Sequence, residues 1–155
     1  VNKQIKINVY KEKIVKRNIQ NIINKYDIIC DCSDNFNTRY LLNDFCLENK
    51  KILISGAINK FEAQIFNFNF SKNTPCYRCF MPEIPEEDKK CDAEGILPTV
   101  AGIAGTLQAN EVVKSILNKK NELVGKMIVF NALNLNFRKI KLTKNTNCIR
   151  KCSKR

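Results

Sequence analysis

Apolar and polar positions along this chain fall into two periods, and the change between them marks out the elements. Ile5, Ile7 and Val9 alternate with Lys6 and Asn8, which predicts a strand. Residues 17–25 carry Ile19, Ile22 and Ile23 at helical spacing. Next comes Asp27-Ile28-Ile29-Cys30-Asp31-Cys32-Ser33-Asp34-Asn35, a strand-length apolar run ending in carboxylates, a hydroxyl and an amide. An amphipathic segment over 38–47 sets Tyr40, Leu41, Leu42 and Phe45 on one face, and residues 52–57 form another buried strand closed by Gly56. Residues 61–70 alternate Phe61, Ala63, Ile65, Phe66, Phe68 and Phe70 with polar residues and read as a further strand. The opening is therefore expected to be a parallel β-α-β arrangement with right-handed crossovers.

After residue 70 the rhythm changes. Residues 74–79 make a tight knuckle, and 82–94 a charged, proline-bearing loop. The longest helix is expected over 99–117, with Val100, Ile103, Ala104, Leu107, Val113 and Leu117 inward. Its Ala101-Gly102 and Ala104-Gly105 pairs permit close packing against backbone or ligand. Residues 127–130 and 137–142 predict a late hairpin, and the polar tail 145–155 holds the last two cysteines. The expected fold is α/β: a partial Rossmann-like mixed sheet, parallel strands first and antiparallel strands late, in one domain over 1–155.

Composition narrows the chemistry. The chain of 155 residues is 44% hydrophobic, the content of a globular domain. No apolar run is long enough to span a bilayer and no signal-peptide pattern opens the chain, so the expected location is the cytoplasm. Histidine is absent, which excludes Ser-His-Asp and Cys-His catalysis and mixed Cys/His zinc sites built from this chain alone. The net charge of +12 arises from lysines scattered singly along most elements, so neither nucleic acid nor a membrane is the expected partner. The 5 glycines form neither G-x-G-x-x-G nor a Walker loop.

Three groups of residues carry candidate chemistry. Asp31 and Asp34 stand at the carboxyl end of a predicted parallel strand, where open α/β sheets bind ligands; they are placed to hold Mg²⁺ or orient a phosphate. In the plainer reading Ser33 or Asp34 caps the following helix. Cys76 and Cys79 are spaced to put two thiolates on one ion, with Cys148 and Cys152 able to supply the other pair for a structural zinc. A redox dithiol and unpaired thiols are the alternatives. Cys91 stands alone in the charged loop between Lys90 and Asp92, ahead of a helix, and is the best nucleophile candidate. Cys30, Cys32 and Cys46 are expected in the core.

Together these residues resemble the ThiF/MoeB/HesA family, bacterial relatives of ubiquitin-activating enzymes. Asp31-Cys32-Ser33-Asp34-Asn35 with Arg39 is similar to the family's D-C-x-D-N-x-x-x-R segment. Ser55-Gly56-Ala57 with Phe61-Glu62-Ala63-Gln64 resembles its S-G-A…F-E-G-Q stretch, and Pro75-Cys76-Tyr77-Arg78-Cys79-Phe80 its first zinc knuckle. Cys91 and Gly95-Ile96-Leu97-Pro98 through Gly102, Gly105, Gln108-Ala109 and Glu111 resemble its crossover loop and following helix.

The resemblance implies ATP-dependent adenylylation of the C-terminal glycine of a ubiquitin-like sulfur-carrier protein, in molybdopterin or thiamine biosynthesis. It implies that Asp34 contacts Mg²⁺ and ATP with Asn35 beside it, and that Cys76, Cys79, Cys148 and Cys152 bind Zn²⁺. Cys91 would be the thiol that, in some members, links covalently to the activated carrier. Against the family pattern the chain begins well inside the sheet, without the Gly-rich ATP loop, and Cys148-x-x-x-Cys152 is one residue wider than C-x-x-C. A separate chain carrying the ATP loop is therefore an expected partner, and a homodimer is a further one. The alternatives are an inactive zinc-stabilised remnant and a basic binding module.

Overall fold

The computed structural model describes residues 2–72, 74–85, 95–149 and 152. The elements run α1 (Ile19–Ile23), β1 (Ile28–Asp31), α2 (Phe36–Glu48), β2 (Ile52–Asn59), β3 (Glu62–Asn69), α3 (Tyr77–Phe80), α4 (Pro98–Ile116), β4 (Lys126–Asn131) and β5 (Asn136–Lys141). A 3₁₀ turn over Phe70–Lys72 follows β3. The strands form one five-stranded sheet in the order β1-β2-β3-β4-β5. β1 and β2 are parallel, and every later pair is antiparallel. The expected mixed sheet is therefore present, with one parallel pair at its start.

The sheet is covered on both faces. Period-two alternation sends Phe66 and Phe68 of β3 to one face, where they meet Ile19, Ile23, Tyr40, Leu42, Phe45 and Tyr77 from the first three helices. Ala63 and Ile65 go to the other face and pack under Val100 and Ala104 of α4. Fully burying each such aliphatic or aromatic side chain stabilises the fold by roughly 1.5–3 kcal/mol. The two clusters together clamp β2 and β3, the strands at the middle of the sheet. No described helix is long and apolar enough to cross a membrane.

Several expectations need correction. Residues 5–9 form no strand: Ile5, Ile7 and Val9 are 56%, 71% and 74% exposed. Their alternation is real, but an extended segment becomes a strand only when a neighbour takes its backbone hydrogen bonds, and none is described beside it. Val113 and Leu117 are exposed at the end of α4. Gly102 and Gly105 have nothing within 4 Å of a built Cβ, so no described residue packs closely on them. Cys30 and Cys32 are exposed and only Cys46 is buried, because the two former side chains point to the α4 face beyond the reach of the core.

Candidate functional site

The carboxyl end of β1 is held by a buried carboxylate. Asp31, 1% exposed, accepts from the Ser33 N–H at 3.0 Å and the Ser33 hydroxyl at 2.6 Å through Oδ1. Its Oδ2 accepts from the Ser55 hydroxyl of β2 at 2.8 Å and lies 3.5 Å from Arg39 Nε. Arg39 in turn donates from Nη2 to the carbonyls of Ser33 (2.8 Å) and Gly56 (3.0 Å). With these partners Asp31 is a structural carboxylate rather than a free ligand. The charge it buries is matched by the Arg39 guanidinium and by hydroxyl donors, as a buried ion requires.

The turn that Asp31 fixes throws Asp34 outward, where it is exposed. Asn35 is the N-cap of α2, accepting from the Thr38 N–H at 2.9 Å through Oδ1, and its Nδ2 donates to Asp34 Oδ1 at 3.2 Å. The helix cap is therefore Asn35 rather than Ser33 or Asp34, which leaves the Asp34 carboxylate aimed at solvent at the helix N-terminus. From the other face, Gln108 of α4 reaches over the strand ends. Its Nε2 donates to the Asp31 carbonyl at 2.8 Å, and the Cys32 thiol donates to its Oε1 at 3.6 Å. Gly56 makes room for it: a Cβ there would stand 2.6 Å from Gln108 Cδ.

The second centre is sulfur. Cys76, Cys79, Cys148 and Cys152 bring four Sγ atoms within 4.8 Å of one another, an arrangement able to hold a metal ion. Individual separations are 3.8 Å for Cys76–Cys79, 3.6 Å for Cys76–Cys148 and 3.0 Å for Cys79–Cys152. Four thiolates around zinc at about 2.3 Å would stand roughly 3.8 Å apart, so the donor set fits that ion in number, type and spacing. The extra residue between Cys148 and Cys152 does not keep their sulfurs apart. Burial pushes the Cys76 thiol up, with the neighbouring sulfurs adding to it, and burial with hydrogen bonds from Cys79 and Cys148 pushes Cys152 up to about 12. At Cys79 burial also pushes upward, but the Cys152 hydrogen bond and the backbone at Asn145 and Cys76 outweigh it and bring the thiol below its ordinary value.

α2 joins the two centres. Asn43 Oδ1 accepts from the Tyr77 N–H at 2.8 Å, and Asp44 takes a two-point bond from Arg78 at 2.8 and 2.9 Å. One turn earlier the same helix presents Arg39 to Asp31, with its guanidinium 5.7 Å from the Tyr77 ring. The structural roles of Arg39, Ser55, Gln108, Asn43 and Asp44 were not read from the sequence. The available signal was Asn43-Asp44 set among Leu41, Leu42 and Phe45, polar residues that an apolar helix face does not need. Cys91 lies outside the described residues.

A mixed sheet covered on both faces, with an acidic turn at the carboxyl end of a parallel strand, is the layout of Rossmann-type ligand-binding domains. Residues 1–150 match the ThiF family, and the chain belongs to it. It is 40% identical over 152 residues to "Adenylyltransferase and sulfurtransferase MOCS3" of Drosophila willistoni, covering 96% of this chain and 33% of that protein. It is 44% identical over 145 residues to "Probable molybdopterin-synthase adenylyltransferase" of Pyropia yezoensis, covering 92% of this chain and 38% of that protein. The chain thus spans somewhat over a third of the curated relatives' length at most. Among solved structures, E. coli MccB with ATP superposes with a TM-score of 0.71 at 18% identity, covering 90% of this chain and 44% of that one. That likeness is one of fold.

Proposed function

We propose that this chain is part of an ATP-dependent adenylyltransferase that activates the C-terminal glycine of a ubiquitin-like sulfur-carrier protein, as in molybdopterin or thiamine biosynthesis. In that reaction a carboxylate oxygen of the carrier bonds to the α-phosphorus of ATP as the bond to pyrophosphate breaks. The observation that carries the reading is the outward carboxylate of Asp34 on a rigid turn, in a chain about 40% identical to proteins named as adenylyltransferases. When bound, Mg²⁺ supplies charge neutralisation at the phosphates. Asp34 is the residue that would hold it, and Asn35 fixes the carboxylate's orientation. Asp31, Arg39, Ser55 and Gln108 keep the turn from relaxing, so the carboxylate is in place before substrate arrives.

The 155 residues contain no glycine-rich phosphate loop, so this reading requires one from another polypeptide segment. Cys76, Cys79, Cys148 and Cys152 would hold a structural Zn²⁺ that ties the tail to the knuckle. Cys91 is the candidate for a covalent link to the activated carrier. The test is ATP–pyrophosphate exchange with a sulfur carrier, run with and without the N-terminal part of the Pyropia yezoensis relative. Exchange that needs both parts and is lost in Asp34→Ala supports the reading. Unchanged exchange in Asp34→Ala removes Asp34 from the mechanism, and no exchange in an assembled complex removes the activity.

A further inference from the structure

Two cysteines outside the four-sulfur centre meet at the end of β1. In an extended strand alternate side chains share a face, so Ile29 and Asp31 turn toward the first three helices and Cys30 and Cys32 toward α4. Both thiols are exposed, and their Sγ atoms stand 4.0 Å apart. Cys76, Cys148 and Cys152 belong to the core on the opposite face of the sheet, so this pair is separate from that centre.

Gln108 gives the pair a third donor. Its side chain is 4% exposed, and its amide is held in one orientation. Nε2 donates to the Asp31 carbonyl at 2.8 Å and stands 3.5 Å from both the Cys30 sulfur and the Ile54 carbonyl. Oε1 is thereby turned to the sulfurs, where it accepts from the Cys32 thiol at 3.6 Å. Two thiols and a fixed amide oxygen converge at one point.

The spacing decides what such a group can hold. A disulfide tolerates Cα atoms up to about 6.8 Å apart. Two residues of extended strand already rise about 6.6 Å, so a bond between these sulfurs would strain the end of β1. An ion needs no such movement: about 2.3 Å from each sulfur, the length a thiolate keeps to zinc, it would subtend an angle of about 120° between them. A third donor completing that plane would stand roughly 3.8 Å from each sulfur, and Gln108 Oε1 is 3.6 Å from that of Cys32. Two soft thiolates with a single oxygen suit a closed-shell thiophilic ion satisfied by two or three ligands, of which Cu(I) is the physiological case. Structural zinc takes four ligands, and magnesium and calcium take shells of oxygen.

We infer that Cys30 and Cys32, with Oε1 of Gln108, bind a thiophilic univalent ion of the Cu(I) class on the α4 face of the sheet. On binding, each thiol releases its proton to solvent as its sulfur bonds to the ion. The hydrogen bond from Cys32 to Gln108 gives way to a bond from Oε1 to the ion, and no electrons are transferred. The site depends neither on the adenylyltransferase reading nor on the four-sulfur centre.

The test is an oxygen-free titration of the zinc-saturated chain with Cu(I) against a coloured competing chelator, followed by iodoacetamide labelling mapped by mass spectrometry. The chain should retain one Cu(I) without releasing zinc. Cys30 and Cys32 should label freely without the ion and be shielded with it. Cys30→Val and Cys32→Ala should each lower the affinity at least ~100-fold and Gln108→Ala at least ~10-fold, the scale on which groups around an ion act. X-ray absorption should show two sulfurs and one lighter atom around copper. The labelling pattern of the unsubstituted chain gives the answer even if a variant fails to fold. Copper taken up only as zinc leaves, shielding of other cysteines but not this pair, or unchanged affinity in a folded Cys30→Val chain overturns the inference. So does one copper per two chains, which would place the ion between copies. Unchanged affinity in Gln108→Ala overturns the three-donor site.

Discussion

Gly56→Ala is the sharpest probe of how the turn before Asp34 is held. The new Cβ would stand 2.6 Å from Gln108 Cδ and Oε1 and 2.9 Å from Nε2, inside any tolerable contact. Gln108 is 4% exposed and must swing out, giving up its 2.8 Å bond to the Asp31 carbonyl. Leaving that buried carbonyl without its donor costs about 1–3 kcal/mol. Replacing glycine where no strain results would return about 0.4–1 kcal/mol through the unfolded chain. The loss dominates, and Gly56→Ala should destabilise by about 1–2 kcal/mol. Gln108→Ala should cost about 1–3 kcal/mol for the same lost bond. In the double variant the methyl enters the space the glutamine vacated, so its cost should equal or fall below that of Gln108→Ala alone. Urea denaturation of the four proteins closes the cycle, with midpoint shifts of roughly 1 M expected for the single variants. Additive losses, or a Gly56→Ala variant within about 0.3 kcal/mol of the parent, would refute the close packing of Gln108 over Gly56.

Other consequences are open to measurement. The purified chain should carry one zinc by elemental analysis, and Cys148→Ser or a strong chelator should remove it and lower the Tm; a metal-free chain with unchanged Tm would contradict the four-sulfur site. Arg78→Ala removes the two-point partner of Asp44, with side chains 17% and 9% exposed, and should cost about 2–3 kcal/mol in denaturant unfolding. A loss below about 0.5 kcal/mol would show that the bond does not anchor the knuckle. Burial and the Tyr77 phenol beside it push the Tyr40 hydroxyl up to about 12. Its unfolded value is about 10, so the folded form keeps its proton while the unfolded form loses it, and stability should fall as pH rises from about 10 toward 12. Tyr40→Phe should lose about 1 kcal/mol at neutral pH, from the bonds to the Met81 and Glu83 carbonyls, and flatten that alkaline fall. An unaltered alkaline profile would refute the assignment.

Where one physical effect dominated, the sequence was sufficient. Ala63 and Ile65 on one face of β3, Phe66 and Phe68 on the other, and the helical periods of α2 and of the first half of α4 survive into the fold because each face meets a described partner. The four sulfurs were legible because cysteine spacing is a local constraint and the absence of histidine left few other donors. Residues 5–9 misled for the opposite reason: alternation is necessary for a strand, but pairing completes it. From the residues alone Asp31 and Asp34 could not be told apart, since carboxylates three positions apart look alike until Ser55, Arg39 and Gln108 arrive from distant elements; only the family resemblance singled out Asp34. Cys30 and Cys32 followed the same logic, apolar by neighbourhood yet exposed on the α4 side of the sheet, where the polar side chain of Gln108 meets them.

The central claim is carrier activation at a site that includes Asp34. Its most direct test is ATP–pyrophosphate exchange by the complex of this chain with the N-terminal part of the Pyropia yezoensis relative, using carriers with and without the terminal glycine. The account predicts exchange that requires the glycine and both parts and falls at least ~100-fold in Asp34→Ala, since one misplaced group at a phosphoryl centre costs that much. Exchange that ignores the glycine, or that Asp34→Ala leaves intact, would contradict it.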